Sequence, residues 1–281
     1  MPAARLPKNF QDWFASRGWL PRDHQLALVS HAEKGDSVLL VAPTGGGKTL
    51  AGFLPSLIEL SATPKRARRR ALHTLYISPL KALAVDVARN LNAPIKEMGL
   101  PVTVETRTGD TPAARRQRQR HSPPDILLTT PEQLSLLLAH PRSRQMFENL
   151  RTVVLDELHA LYNSKRGDLL ALGLARLQTL APGHRRVGLS ATVKDPAPLR
   201  RFLMPQPVTG ESSGVRASES RQKSLSEVVI AGGGATPHIE ISASDSYVPW
   251  AGHLARHAMA DVMAAIQAAN TALVFVNTRS Q

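Results

Sequence analysis

The chain has 281 residues, 42% of them hydrophobic, which is enough for one large domain or one and a fraction with a sizeable core. Lys and Arg number 35 against 22 Asp and Glu, and the resulting formal charge of +13 points to a polyanionic partner, most simply nucleic acid. The absence of cysteine excludes disulfides, thiolate zinc sites and iron–sulfur clusters. No apolar run approaches the roughly 18 residues of a membrane span, and the first residues lack the apolar stretch of a secretory signal; a cytoplasmic protein is expected.

Short apolar, β-rich runs alternate with helix-like segments. Strands are expected at 37–42, 72–78, 102–106, 125–129, 151–156 and 186–190, and helices at 48–60, 81–98, 132–140 and 169–180. Several strands are apolar at consecutive positions, the pattern of a parallel sheet buried on both faces. The fold class is therefore α/β, an open and mainly parallel sheet with helices on both sides. After about residue 205 the composition turns polar and Gly-rich, with short strand candidates at 225–230 and 238–243. A helix at 252–269 and a buried strand at 271–276 then read as the start of a second α/β unit. The expected division is 1–205 for the first domain, 206–250 for a linker or inserted region and 251–281 for the second unit. Two arginine-rich runs, 64–70 and 114–120, are expected in surface loops or helix ends, either as solvated charge or as phosphate contacts.

"APTGGGKT" at 42–49 follows a buried strand and opens an amphipathic helix. It fits Gly-x-x-x-x-Gly-Lys-Ser/Thr with Ala42 in the first place. Backbone N–H groups in such a loop cradle phosphate oxygens, and side chains at Gly45, Gly46 and Gly47 would hold the phosphates away. Thr44 belongs to the same loop, Lys48 offers a cation to the β- and γ-phosphates, and the Thr49 hydroxyl suits Mg²⁺.

Ligands of an open parallel sheet gather at the strands' carboxyl ends. Those ends carry the phosphate loop, Ser78-Pro79-Leu80-Lys81, Thr129-Thr130-Pro131-Glu132, Asp156-Glu157-Leu158-His159 and Ser190-Ala191-Thr192. Asp156 ends a buried strand beside the phosphate loop and suits Mg²⁺ through water, and Glu157 is the candidate base for the attacking water. Each has a plainer reading, Asp156 as a helix cap and Ser190 and Thr192 as strand-end caps. Trp13, Phe14 and Trp19 read as packing residues or as an adenine stack.

"APTGGGKT", "SPLKALAVD", "TRTGD", "TTPEQL", "DELH" and "LSAT" occur in the order and spacing of superfamily 2 helicases. Over about residues 18–281 the wording resembles the large helicase-related (Lhr) type, and within it the ligase-associated DEXH-box DNA helicases. The resemblance implies two RecA-like domains with ATP and Mg²⁺ in the cleft between them and nucleic acid across both. It implies that Gln25 reads adenine and that Thr44, Gly45, Gly46, Gly47, Lys48 and Thr49 hold phosphate and metal. Lys48, Asp156 and Glu157 would be catalytic, and His159, Ser190 and Thr192 would couple hydrolysis to strand movement. Pro79, Lys81, Arg107, Thr108, Gly109, Thr130, Pro131 and Glu132 would lie along the nucleic-acid backbone, joined by Asn277, Thr278 and Arg279 of the second unit.

The family's later motifs, including the arginine finger, have no counterpart in these residues. The chain therefore reads as an N-terminal piece of a DNA helicase, expected to hydrolyse ATP slowly and unwind nothing alone. The implied partners are single-stranded or tailed DNA, with RNA open, the remaining helicase domains and a functional link to a DNA ligase in repair. Two other readings remain: a P-loop enzyme of another kind, such as a small-molecule kinase, and a non-catalytic nucleic-acid-binding fragment.

Overall fold

The structure is a computed structural model that describes residues 5–63, 71–205, 225–232, 238–241 and 258–276. Helices α1 (Lys8–Ser16) and α2 (Asp23–Glu33) precede β1 (Val38–Val41) and α3 (Lys48–Ala62). The chain continues through β2 (Thr74–Ile77), α4 (Lys81–Glu97), β3 (Val104–Arg107), α5 (Ala113–His121), β4 (Ile126–Thr129), α6 (Pro131–Leu138) and α7 (Ser143–Phe147). Then follow β5 (Thr152–Leu155), α8 (Leu158–Tyr162), α9 (Lys165–Leu180), β6 (Arg185–Ser190), α10 (Ala197–Phe202), β7 (Glu227–Ile230) and α11 (Met259–Ala268). The seven strands among the described residues join one sheet in the order β3-β4-β2-β5-β6-β1-β7. Every pairing in it is parallel.

The consecutive apolar positions have a direct cause. Successive strand side chains point to opposite faces, and here both faces are covered. Leu40, Tyr76, Leu128, Val154 and Leu189 join a core with α1 to α4. Their neighbours Leu39, Leu75, Leu127, Val153 and Leu155 join a second core with α6 to α10. Helix α9 shows how the helical layer is specified. Ser164 caps it by accepting from the Gly167 N–H at 3.1 Å, and Leu170, Leu174 and Leu177 recur at helical spacing to form its buried stripe. Burial of each such leucine stabilises the fold by roughly 1.5–3 kcal/mol.

Residues Met1–Gly234 form one unit and Ala235–Gln281 a second. The segment 225–230, read as part of a connecting region, supplies the edge strand β7 of the first unit, in register with β1 from Val38↔Glu227 to Val41↔Ile230. In the second unit α11 forms within the expected helix 252–269, of which residues 252–257 lie outside the described residues. No strand forms over 271–276 or 238–241. Leu273, Val274, Phe275 and Val276 are exposed. An apolar run becomes a strand only with a partner for its N–H and C=O groups, and no described strand lies beside this one. Among the described residues no helix is long and apolar enough to cross a membrane.

The amino end of β6 is locked to the helical layer through His184 and Arg186. Arg186 is buried and donates to Leu174 O and Gln178 Oε1, both at 3.1 Å, and to His184 Nε2 at 3.1 Å. His184 Nδ1 in turn reaches Ala181 O at 2.7 Å, which makes Nε2 the acceptor nitrogen. Burial, with Arg186 adding to it, pushes the His184 pKa down to about 4. The unfolded chain therefore binds a proton near pH 6.5 that the folded chain refuses until about pH 4, and stability falls as pH drops through that window. We expect acidification from pH 6.5 to 4 to remove stability on the order of 3 kcal/mol through this residue. Thermal melts of the chain and of His184→Gln across that range should show a smaller acid loss in the variant.

Candidate active site

The phosphate-loop motif leaves β1 at the carboxyl rim. Gly45 and Gly47 both have φ of +75°, a backbone region that other residues avoid. At Gly46 a Cβ would stand 2.8 Å from Pro43 O, closer than real Cβ atoms come to backbone. These three glycines are therefore required by the loop's shape. Thr44 and Gly45 are exposed, and Thr49 is half-buried in the first turn of α3. Lys48 Nζ donates to Ala42 O at 3.0 Å and to Pro43 O at 3.4 Å, which holds the ammonium inside the loop.

Helix α2 packs its amino end on this loop. Gln25 is 4% exposed, its Oε1 accepts from the Arg22 N–H at 3.0 Å, and its Nε2 lies 3.1 Å from where a Cβ at Gly47 would be. Arg22 Nη1 approaches Gly45 O at 3.4 Å. Trp13 and Phe14 are buried core residues, and Trp13 Nε1 donates to Glu97 at 2.7 Å. Trp19 is half exposed with the Arg17 guanidinium over its ring.

Asp156 follows β5 on the same rim. It does not follow the strand next to β1, because β6 lies between them. With strands about 4.8 Å apart, the two loops spring from backbones roughly 10 Å apart. Asp156 is 7% exposed, and both its carboxylate oxygens are engaged: Oδ1 accepts from the Glu157 N–H at 2.9 Å and Oδ2 from the Tyr76 hydroxyl at 2.5 Å. Burial raises the Tyr76 pKa far above its ordinary value, and Asp156 raises it further, so Tyr76 is the donor. Glu157 has φ of +48°, the one non-glycine residue with positive φ among those described. Such strain costs on the order of 1–3 kcal/mol and clusters at functional sites.

His159 joins this strand end to the next. Its Nδ1 lies 3.3 Å from Ser190 Oγ and accepts from the Ala191 N–H at 3.4 Å. That leaves Nε2 to carry the proton, facing Glu157 Oε2 at 3.4 Å. Ser190 is fully buried at the end of β6, whereas Thr192 is exposed beyond it.

On the other side of β5, the ends of β2, β3 and β4 are cross-linked. Arg166 of α9 grips Glu132 through two bonds, Nε to Oε1 at 2.5 Å and Nη2 to Oε2 at 3.0 Å, and its Nη1 donates to Pro79 O at 2.5 Å. Arg166 accordingly holds the Glu132 carboxyl down at about pH 2. Thr130 stands at the N-cap position of α6 without a side-chain capping bond, and Pro131 opens the first turn. Lys81 reaches Asp110 at 2.7 Å, and Thr108 and Thr111 close a tight turn around Gly109 with an N–H to Oγ1 bond of 2.9 Å. Arg107 is 3% exposed and turns inward, to Arg116 O at 2.9 Å. Asn277, Thr278 and Arg279 lie outside the described residues.

Tyr76 and Arg166 were not singled out from the sequence. The only trace of Tyr76 is a hydroxyl inside an otherwise apolar strand. Arg166 gives no local signal, since its partners are 34 and 87 residues away. Two outcomes follow. Tyr76→Phe leaves a buried carboxylate oxygen short of a donor and should lower stability by about 1–3 kcal/mol, read by urea titration. Arg166→Lys keeps the charge but loses the forked grip, so protease cleavage near residues 79 and 132 should rise while the far-ultraviolet dichroism is unchanged.

Comparison with known proteins bears on the fold and the family. The DEAD/DEAH box helicase family profile matches residues 22–199. The Lhr helicase/probable uracil glycosylase of Mycolicibacterium smegmatis is 43% identical over 219 residues, covering 74% of this chain and 14% of that protein. ATP-dependent helicase Lhr-Core of Methanothermobacter thermautotrophicus is 36% identical over 267 residues, 91% of this chain and 30% of that protein. The structure of Mycobacterium smegmatis helicase Lhr bound to ssDNA and AMP-PNP superposes with a TM-score of 0.76 at 34% identity, over 99% of this chain and 34% of that one. The chain thus spans less than a third of these curated relatives' length. With the family profile on most of its first unit and an all-parallel sheet like those of RecA-like helicase domains, the chain belongs to the DEAD/DEAH box helicase family.

Proposed function

We propose that this chain is the first motor domain of an ATP-dependent DNA helicase or translocase of the Lhr type. The observation that carries the reading is the shared carboxyl rim. The glycine loop with Lys48, the Asp156–Glu157 pair and Ser190 end adjacent or next-adjacent strands, and His159 touches the last two. The names of two relatives join Lhr helicase with uracil glycosylase, which supports a role in DNA repair. The functional link to a DNA ligase rests on the motif resemblance, and a cytoplasmic location on the composition of the sequence.

The residues fit a metal–triphosphate. Gly46 leaves no side chain between an anion and the loop amides, and the Asp156 carboxylate is buried and held by two donors. Thr49 and, through water, Asp156 would hold Mg²⁺, which neutralises charge on the β- and γ-phosphates when bound. The remaining steps belong to the chain itself. The loop amides of residues 44–49 and Lys48 bind the phosphates, and Gln25, seated against Gly47, faces the base. Glu157 accepts the proton of the attacking water, and His159 transmits the state of Glu157 to the Ser190–Ala191 segment. Pro79, Lys81, Thr108, Gly109, Thr130 and Pro131 present backbone and polar groups to a nucleic-acid strand, held in place by Glu132 and Arg166. Contacts of this kind go to phosphates and carry little sequence preference. By the motif resemblance Asn277, Thr278 and Arg279 would also contact nucleic acid, and the arginine finger would come from further helicase domains.

Calorimetric titration with AMP-PNP and Mg²⁺ tests the reading. Lys48→Ala should weaken binding at least tenfold, whereas Glu157→Gln should leave binding intact and abolish residual hydrolysis. Single-stranded DNA should stimulate turnover by the parent chain joined to its further helicase domains. Nucleotide binding that ignores Lys48, or turnover insensitive to DNA, would contradict the proposal.

A further inference from the structure

The arginine-rich run 114–120 folds as α5, and its two faces differ in charge balance. On one face Arg115 Nε and Arg118 Nη2 reach Glu105 Oε2 at 3.3 and 2.8 Å, and Gln119 Nε2 reaches it at 2.9 Å. Glu105 is ion-paired with both arginines of that side. The other face carries Arg116, Arg120 and His121, beside Arg107 of β3 and the turn between α6 and α7 with His140 and Arg142. Arg142 Nη1 contacts His121 Nδ1 at 2.9 Å, and the Arg142 N–H donates to His140 Nδ1 at 3.2 Å.

No ion pair among the described residues involves Arg107, Arg116, Arg120 or Arg142. Arg107 leans only on neutral oxygens, Arg116 O at 2.9 Å and Gln119 Oε1 at 3.5 Å, and the Nε atoms of Arg107 and Arg120 are buried without a partner. Burial first, then Arg120 and Arg116, lowers the Arg107 pKa to about 10. His140 is lowered by burial and by Arg120, Arg142, Arg107 and His121, all cations or potential cations. Arg116 and Arg120 thus act on Arg107, and Arg107, Arg120 and Arg142 on His140, like charges that repel without an ion pair to a carboxylate. The cluster adjoins the Thr108–Thr111 turn and flanks β3, the edge strand of the sheet, where no described strand covers it.

We propose that Arg116, Arg120, His121, His140 and Arg142 form a second phosphate-contact surface, which holds nucleic acid that runs off the strand-end loops and past the β3 edge. The proposal rests on the motor reading for the path that feeds it. Its partner is the nucleic-acid backbone, so the surface adds length-dependent, salt-sensitive affinity without sequence preference.

The test measures binding of this chain to single-stranded oligonucleotides of about 8 and about 25 nucleotides by fluorescence anisotropy over a salt series, with AMP-PNP present. The variants are Arg116→Gln/Arg142→Gln and Arg142→Gln alone, both at surface positions, with melting temperature and AMP-PNP affinity as folding controls. For the long oligonucleotide the slope of log affinity against log salt should fall by about 0.7 for each phosphate contact removed, and affinity should drop several-fold, while the short one binds as before. An unchanged slope, or equal losses on both lengths, would overturn the surface and leave the motor reading standing. Failure of the unsubstituted chain to bind either oligonucleotide would overturn both.

Discussion

Helix α3 can bring its first residue to the carboxyl rim only because its backbone lies almost on the sheet. A Cβ at Gly52 would stand 3.1 Å from Leu189 Cδ1 and 3.3 Å from Val154 Cγ1, so the helix backbone packs closely on side chains of β5 and β6. At the other end of the same connection, Gly46 has no room for a side chain beside Pro43 O. These two close approaches fix where the loop backbone leaves β1 and enters α3. Every functional statement about this chain depends on that seating, because a phosphate loop works by backbone approach and a shift of an ångström removes it.

The rest of the rim is arranged around the seated loop by polar contacts of short reach. Tyr76, stacked on Phe53 of α3, donates to Asp156 and so relates the acidic pair to the helix that carries Lys48. His159 relates Glu157 to Ser190 and Ala191, at the end of the strand that separates the acidic pair from the loop. Arg166 relates the ends of β2 and β4. Each link joins two strand ends, so a change at one is felt at its neighbour without any movement of the sheet, whose side chains fill both cores. A rigid sheet with bridged loops suits a device in which hydrolysis at one end of the rim alters the grip at the other.

Much of this was legible in the sequence, for stated physical reasons. The consecutive apolar runs at 38–41, 74–77, 126–129 and 152–155 required a sheet covered on both faces, and the sheet has helices on both. The three glycines required close backbone approach, and two of them have positive φ. Strand order was not legible, because it depends on which crossover passes which face; hence β6 stands between Asp156 and the phosphate loop. The apolar run at 271–276 had a strand's composition but no described partner. Arg107 and Glu132 had the composition of surface charges on a nucleic-acid path. One instead turns inward to a backbone carbonyl, and the other is gripped by an arginine 34 residues away. Long-range pairs of this kind leave no periodic signature in a single sequence.

The account stands or falls on where a triphosphate and its metal bind. A crystal structure of the chain with AMP-PNP and Mn²⁺, read by the anomalous signal of the metal, tests this most directly. The account predicts phosphate oxygens on the backbone amides of residues 44–49, the Lys48 ammonium turned from Ala42 O and Pro43 O toward them, and a metal peak between the Thr49 hydroxyl and Asp156. A nucleotide bound elsewhere, or a metal held without either residue, would contradict it.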